Sequence, residues 1–374
     1  MFTIKHVWRL HVAGVLLGCI MCSSLQSAAV TVLSLPAGYT SASVQLGQPY
    51  AGALAVDSNV PNRLYASVGF FGSQSILKVD TLAGTTATVA VGFGSVGGMA
   101  VLSNGDLALT ENGTSQSIYR ARDLNADGDF LDPSEITLLI APILADSGFG
   151  FTGAQMTIAP PGNASAMPAG SLVIQTADGG TSAELLVVDN PTSVSPIFRP
   201  PGASYFSGLS YNGGVAFDNS GNLIVGESVF PDGRIYGLVN SNSDSDIDAG
   251  ESHVLVDTAA IPSGIADLAV SQGGTVFFGG NGSGFGVPDA KIYSLQLPAN
   301  LLTGTGSPSP FTTTNASYLS TLRFDDATKS FAPGATSNPA RLFVGGLDSS
   351  FSGFSNLLVI RPSAVSAVGD WNFY

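Results

Sequence analysis

The sequence predicts an all-β fold: a six-bladed β-propeller of four-stranded antiparallel blades, closed into a ring by its own N-terminal strand. Three observations lead there. Gly numbers 46 and hydrophobic residues make up 44%, while charged residues are only 11%. That is too apolar for a disordered chain, and too Gly-rich and charge-poor for a helical bundle. Short β-branched and aromatic runs alternate with Gly, Asn, Asp and Ser turns, the pattern of an antiparallel meander. One strand order recurs six times, and six such units close best radially, which leaves few free edges.

The repeats can be followed in order. Their first strands are Ala53–Val56, Met99–Leu102, Met156–Ala159, Val215–Asp218, Leu268–Ser271 and Leu322–Asp325. Polar turns such as Ser103–Asp106 and Asn219–Asn222 follow. Second strands are Leu64–Val68, Leu107–Thr110, Leu172–Gln175, Leu223–Gly226, Val276–Phe278 and Leu342–Val344; third strands are Ile76–Val79, Ile118–Ala121, Leu185–Val188, Ile235–Leu238, Ile292–Leu295 and Leu357–Ile360. Five repeats show a fourth strand, as in Ile136–Leu139 and His253–Val256. The sixth lacks one, and Val30–Ser34 is expected to supply it and fasten the ring. A β-sandwich would not explain six copies of one strand order, and a β-helix needs a shorter, stricter period.

Residues 1–29 read as a signal peptide. Lys5, His6 and Arg9 precede the apolar run Leu10–Met21, and Ser27, Ala28 and Ala29 offer a small-residue cleavage site. The run is short for a membrane span and has no charged stop behind it. Leu16–Cys19 also resembles a lipobox, so lipidation at Cys19 is the alternative. Cys19 and Cys22 both lie in this segment, so cleavage near Ala29 removes every cysteine and with them any disulfide or thiol site. Residues 30–374 then form a single secreted, periplasmic or surface-held propeller domain, expected to be a monomer. Only 13 Lys and Arg stand against 27 Asp and Glu, which excludes nucleic acid as a partner.

The Gly214–Leu238 repeat carries Gly-Val-Ala-Phe-Asp, then Gly-Asn-Leu-Ile-Val, then Ile-Tyr. This pattern, degenerate but recurring over nearly all of the mature region, resembles the six-bladed propellers of the NHL-repeat and gluconolactonase-like superfamily. The resemblance implies a metal in the central channel, held by Glu, Asn and Asp at its mouth. Here the strand openings read Gly97-Gly98, Gly153-Ala154, Gly213-Gly214 and Gly264-Ile265, with Asp267 the one carboxylate among them.

Two insertions between third and fourth strands carry chemistry. Asp123, Asn125, Asp127, Asp129, Asp132 and Glu135 occupy the first, at 123–135. Asn240, Asn242, Asp244, Asp246, Asp248 and Glu251 occupy the second, at 240–251. Nine of the 27 acids fall in these two segments, crowding that favours a bound cation. Oxygen donors at every second position with a distal Glu suit Ca²⁺, and the second loop has the EF-hand spacing with Ser245 at the usual Gly position. The first keeps Gly128 but has one more residue before Asp132 and Glu135, so its last ligand is expected to be reached by another path. A solvated acidic turn is the alternative. Strands rather than helices flank both loops, so a structural ion fits better than a sensor.

The catalytic inventory is thin. His253 is the only histidine beyond the leader, and its place in an outer strand makes a Ser-His-Asp triad improbable. Glu111 and Glu227 follow second strands and are the weak candidates for an acid and base at the channel mouth. Phe70, Phe71, Phe149, Phe151, Tyr205, Phe206, Tyr211, Phe230, Phe285 and Phe351 gather in loops expected on the same face, where rings can stack on sugars or apolar partners or simply pack the loops. The expected function is a calcium-stabilised module binding a protein or glycan; a divergent lactonase-like hydrolase is the alternative.

Overall fold

The computed structural model describes residues 29–363, apart from 71, 112–116, 141–154, 177–182, 194, 201–203, 230–231, 258–263, 285, 336–337 and 351–352. The leader residues 1–28 with both cysteines lie outside this set, as do Phe71, Phe149, Phe151, Phe230, Phe285 and Phe351. Among the described residues there are strands and no helix, and no helix is long and apolar enough to cross a membrane.

Two short strands come first, β1 (Val32–Ser34) and β2 (Tyr39–Gln45). Blade 1 then comprises β3 (Tyr50–Val56), β4 (Arg63–Phe70), β5 (Ser73–Asp80) and β6 (Thr85–Phe93). Blade 2 comprises β7 (Val96–Val101), β8 (Leu107–Glu111), β9 (Ser117–Ala121) and β10 (Ile136–Ile140). Blade 3 is β11 (Gln155–Ile158), β12 (Leu172–Gln175), β13 (Ala183–Asp189) and β14 (Ile197–Arg199), with β15 (Phe206–Leu209) also paired to β13. Blade 4 is β16 (Asn212–Phe217), β17 (Leu223–Val229), β18 (Asp232–Leu238) and β19 (Ser252–Val256). Blade 5 is β20 (Asp267–Val270), β21 (Thr275–Gly279), β22 (Lys291–Gln296) and β23 (Ser309–Thr314). Blade 6 is β24 (Tyr318–Phe324), β25 (Leu342–Leu347) and β26 (Asn356–Pro362), completed by β2.

The six predicted blades therefore form, and the ring is closed by an N-terminal strand, but not by the segment expected. Val32–Ser34 pairs with β23 at the outer edge of blade 5. Tyr39–Gln45 supplies the missing strand of blade 6, in unbroken register from Tyr39↔Pro362 to Gln45↔Asn356. The physical reason is position. An outermost strand has a neighbour on one side only, so it needs little apolar character, and most of Tyr39–Gln45 is exposed. Val30–Ser34 has the more apolar run, but its buried anchor is Val30, which Asn356 holds by both main-chain groups. The amide oxygen accepts from Val30 N at 2.8 Å, and Asn356 Nδ2 donates to Val30 O and Ser43 Oγ at 3.1 Å.

Hydrophobic packing follows the ring. Six buried clusters each join one pair of adjacent blades. Tyr65 and Val89 meet Met99 and Leu109 between blades 1 and 2, and Phe277 meets Phe324 and Leu342 between blades 5 and 6. The inner strands meet their neighbours in sequence and β24 meets β3, so the order around the ring is the chain order. The turns at one end use glycine where sterics demand it: Gly221 has φ +79°, and an added Cβ would lie 2.3 Å from Asn163 Cα of the preceding blade.

Asn356→Ala is expected to leave the buried N–H and C=O of Val30 without their partner, a cost of about 1–3 kcal/mol. The midpoint of urea unfolding measures it, and an unchanged midpoint would show that the clamp contributes nothing to closure.

Candidate functional site

The two acidic loops join third to fourth strands, β9 to β10 and β18 to β19. Many of their hydrogen bonds correspond, though not at the first position, where Asp123 accepts from Ala126 N and Gly128 N at 2.6 and 2.8 Å and Asn240 Nδ2 donates to Asp244 O at 3.0 Å. Arg122 N and Val239 N each donate to the main-chain oxygen of the distal Glu, at 2.9 Å in both loops. Leu124 N and Ser241 N each donate to its Oε1 at 2.7 Å, and Asp132 N and Asp248 N each donate to its Oε2 at 3.1 Å. Asn125 Nδ2 reaches Asp127 and Asp132 at 2.9 and 2.6 Å; Asn242 Nδ2 reaches Asp244 and Asp248 at 2.7 and 3.3 Å. Asp129 N and Asp246 N donate to Asp127 and Asp244 in turn. The extra residue of the first loop is absorbed before Asp132. Glu135 therefore reaches the same position as Glu251 by a path one residue longer.

Each loop also reaches the preceding blade. Phe130 buries its ring beside Tyr65, with centroids 6.2 Å apart, and donates its N–H to Val89 O of β6 at 2.7 Å. Lys78 of β5 donates to Gly128 O. In the second loop Ile247 occupies the place of Phe130 and donates to Tyr205 O at 2.9 Å, while Asn240 Nδ2 reaches Tyr205 Oη at 3.3 Å. Tyr205, one of the aromatics that the sequence gathers in loops, is fully buried here and donates to Ser165 O. Phe70 and Tyr211 are exposed, and Phe206 is half-buried against Tyr236.

The donor chemistry of the loops fits a hard cation. Asn240 is 4% exposed and its Oδ1 has no hydrogen-bond partner, an arrangement that costs free energy unless a cation or donor meets that oxygen. Desolvation and the charges of Asp244, Asp248 and Glu251 push the Asp246 carboxyl up. Burial also raises Glu251, but the donors at Ser241, Asn242 and Asp248 outweigh it and hold the carboxyl low. Asp127 and Asp132 converge on the Asn125 amide, Asp244 and Asp248 on that of Asn242. Among the described residues no three His, Cys, Asp or Glu side chains stand close enough to hold a metal as they are.

Glu111 and Glu227 occupy equivalent ends of second strands. Glu111 Oε1 accepts from Gly94 N at 2.8 Å, and Glu227 Oε1 accepts from Ser210 N at 2.6 Å, each fixing the approach to its inner strand. Glu227 is buried and also accepts from Tyr236 Oη at 2.9 Å and Arg234 Nη1 at 3.4 Å. His253 pairs with Gly237 in the outer ladder of blade 4.

The channel holds a feature that composition did not reveal. In every blade the residue after the inner strand donates its N–H to the start of the second strand: Asp57, Leu102, Ala159, Asp218, Ser271 and Asp325. Two residues before these stand Ala55, Ala100, Thr157, Ala216, Ala269 and Arg323. Five small side chains thus leave room for one long one. Arg323 Nη1 pairs with buried Asp267 of blade 5, and Nη2 donates to Gln155 Oε1 of blade 3, at the opposite side of the ring, at 3.1 Å. Asp267 Oδ2 also accepts from Leu322 N at 2.8 Å. Its Oδ1 lies against Gly214, whose φ is +97° and whose missing Cβ would come within 2.6 Å of that oxygen. Burial raises the Asp267 carboxyl, opposed by the charge and donors of Arg323 and Leu322. Among the described residues this donor set does not fit a channel metal. The inner-strand position offers one carboxylate, and a guanidinium already neutralises it.

No protein-family model matches the chain, and no curated protein matches it. Solved structures do match in shape. A gluconolactonase from Xanthomonas campestris superposes with a TM-score of 0.54 at 13% identity, over 90% of this chain and 95% of that one. A luciferin-regenerating enzyme gives 0.55 at 13% identity, over 87% and 98%. The calcium-binding protein regucalcin from Agrobacterium tumefaciens gives 0.52 at 14%, over 86% and 96%. The chain shares their six-bladed propeller fold. At this identity the likeness is one of fold.

Arg323→Met leaves the buried Asp267 carboxylate without its cation and is expected to cost about 3–5 kcal/mol. Adding Asp267→Asn should restore part of the loss. Chemical denaturation reads both, and a single variant as stable as the parent would remove the cross-channel pair from any account of stability.

Proposed function

We propose that this protein is a secreted β-propeller that binds calcium in its two acidic loops and acts as a binding module for a protein or glycan. The observation that carries the calcium reading is the shared hydrogen-bond scheme of the two loops despite their different lengths. Two sequences that differ by an insertion and in most linking residues keep the distal Glu and the Asn-centred carboxylates in corresponding bonds, which a merely solvated turn does not require. Ligands would come from Asp123, Asn125, Asp127, Asp129, Asp132 and Glu135 in one loop. Asn240, Asn242, Asp244, Asp246, Asp248 and Glu251 would serve in the other. Extracellular modules of this kind bind at about 10⁻⁴–10⁻³ M, which suits a structural ion outside the cell. The leader-like segment 1–29 and the lack of cysteine after Cys22 support export.

The binding-module reading is favoured over hydrolysis by the channel. Glu111 and Glu227 hold main-chain N–H groups of the segments that lead into their blades, and Asp267 is committed to Arg323. Exposed Phe70 and Tyr211 offer apolar contact.

At calcium about tenfold above its dissociation constant, each site should add about 1.4 kcal/mol. Chelation is expected to lower the melting temperature, and Asp127→Ala should reproduce much of that loss. Melting curves that coincide with and without chelator would refute the calcium sites. The module reading is tested separately by a lactone screen with added divalent metals. Turnover that disappears in Glu227→Gln would replace it with the hydrolase.

A further inference from the structure

At the end of the channel where inner strands turn into second strands, two adjoining hollows of about 380 and 540 Å³ open to solvent. They share Thr157, Ile158, Pro160, Pro161, Arg323 and Phe324, so they are two sides of one funnel. Its walls are apolar, built from Met99, Val101, Ile158, Phe217, Val270 and Phe324. Its rim is polar, with Asn59 and Ser103 on one side and Asn219 and Thr328 on the other. Arg323 stands at the inner end. The funnel exists because the other five blades place only Ala or Thr at the level of that arginine.

We infer that this funnel is a binding site for a small, neutral, largely apolar molecule carrying one hydrogen-bond acceptor, such as a carbonyl oxygen, which meets the guanidinium of Arg323. Size and lining fit: ligand sites are typically concave, apolar and supplied with a few placed polar groups. The choice of a neutral ligand follows from charge. Arg323 is paired with Asp267, so the floor carries no net charge, and a carboxylate ligand would bring a second anion against one cation. The choice of an acceptor follows from the donor count. Asp267 Oδ2, Leu322 O and Gln155 Oε1 take N–H groups of Arg323, three of the five a guanidinium offers. The side chain is 17% exposed, and Arg323 lines both hollows. The site is independent of the acidic loops and lies apart from Glu111 and Glu227, which sit at the other ends of their strands.

Three isosteric probes test it by saturation-transfer NMR titration: 2-acetonaphthone, 2-ethylnaphthalene and 2-naphthoate. The ketone should bind saturably, about threefold to tenfold tighter than the hydrocarbon, as one added hydrogen bond provides. The naphthoate should bind no tighter than the ketone. Ala216→Phe, which fills one side of the funnel, should weaken ketone binding at least tenfold; should that variant fail to fold, Thr157→Phe makes the same test from the neighbouring blade. No saturable ketone binding, a preference for the naphthoate, or undiminished binding in a folded filled variant would each overturn the site.

Discussion

Everything in this molecule hangs on the ladder that joins its two chain ends. A propeller blade packs only against its two neighbours, so an open array of six would leave two apolar blade faces in water. Pairing Tyr39–Gln45 with Asn356–Pro362 turns the array into a ring and gives every face a partner. The contact is long-range in sequence and its loop-closure cost is large, but it is met once, and all six inter-blade clusters depend on it. Asn356 adds a side-chain lock at the one place where the entering chain must pass from blade 5 to blade 6, and it does so from a fully buried position.

Closure also determines what the channel can be. Six inner strands converge on one axis, and their side chains compete for the same narrow space. Ala55, Ala100, Ala216 and Ala269 resolve the competition by being small, and Arg323 exploits it by being long. A guanidinium is planar, permanently charged and able to bond in several directions at once. It can therefore tie blade 5 and blade 3 to blade 6 across the axis, where a lysine would make a point contact. The same act fixes the electrostatics of the channel. A carboxylate next to a guanidinium fixed in the chain has little left to offer a divalent ion, so Asp267 does structural work here.

Much of the fold was legible in the sequence because inner and middle strands are buried on both sides and so must be apolar runs, as at Leu172–Gln175 and Leu342–Val344. The closing strand was misplaced because outermost strands escape that requirement: Tyr-Thr-Ser-Ala-Ser-Val-Gln has one buried residue, Val44. The acidic loops were legible from spacing alone. Their equivalence was not, since an insertion hides it until the partners of Glu135 and Glu251 are compared. Arg323 had a signal that lay unused: aligned by the first turn of each blade, the sixth repeat breaks a run of Ala and Thr with a charge, and a lone charge at a small-residue position of a repeat marks a contact other repeats do not make.

The two acidic loops are placed where local order has the greatest leverage. Each belongs to one blade and lays an apolar residue, Phe130 or Ile247, into the cluster shared with the blade before it. Repulsion among the carboxylates works against that docking, because it spreads the loop whose tip must insert. On the proposed calcium reading, neutralising that charge would let the Asn-centred network tighten and would favour the docked tip. A cation bound as proposed would thus act on inter-blade cohesion, and through the closed ring on all six blades, although its ligands belong to one blade only. The channel pair secures the same ring with a charge the chain carries permanently, so on the proposed reading the seams between blades 1 and 2 and between blades 3 and 4 are where stability would respond to the surrounding ion concentration.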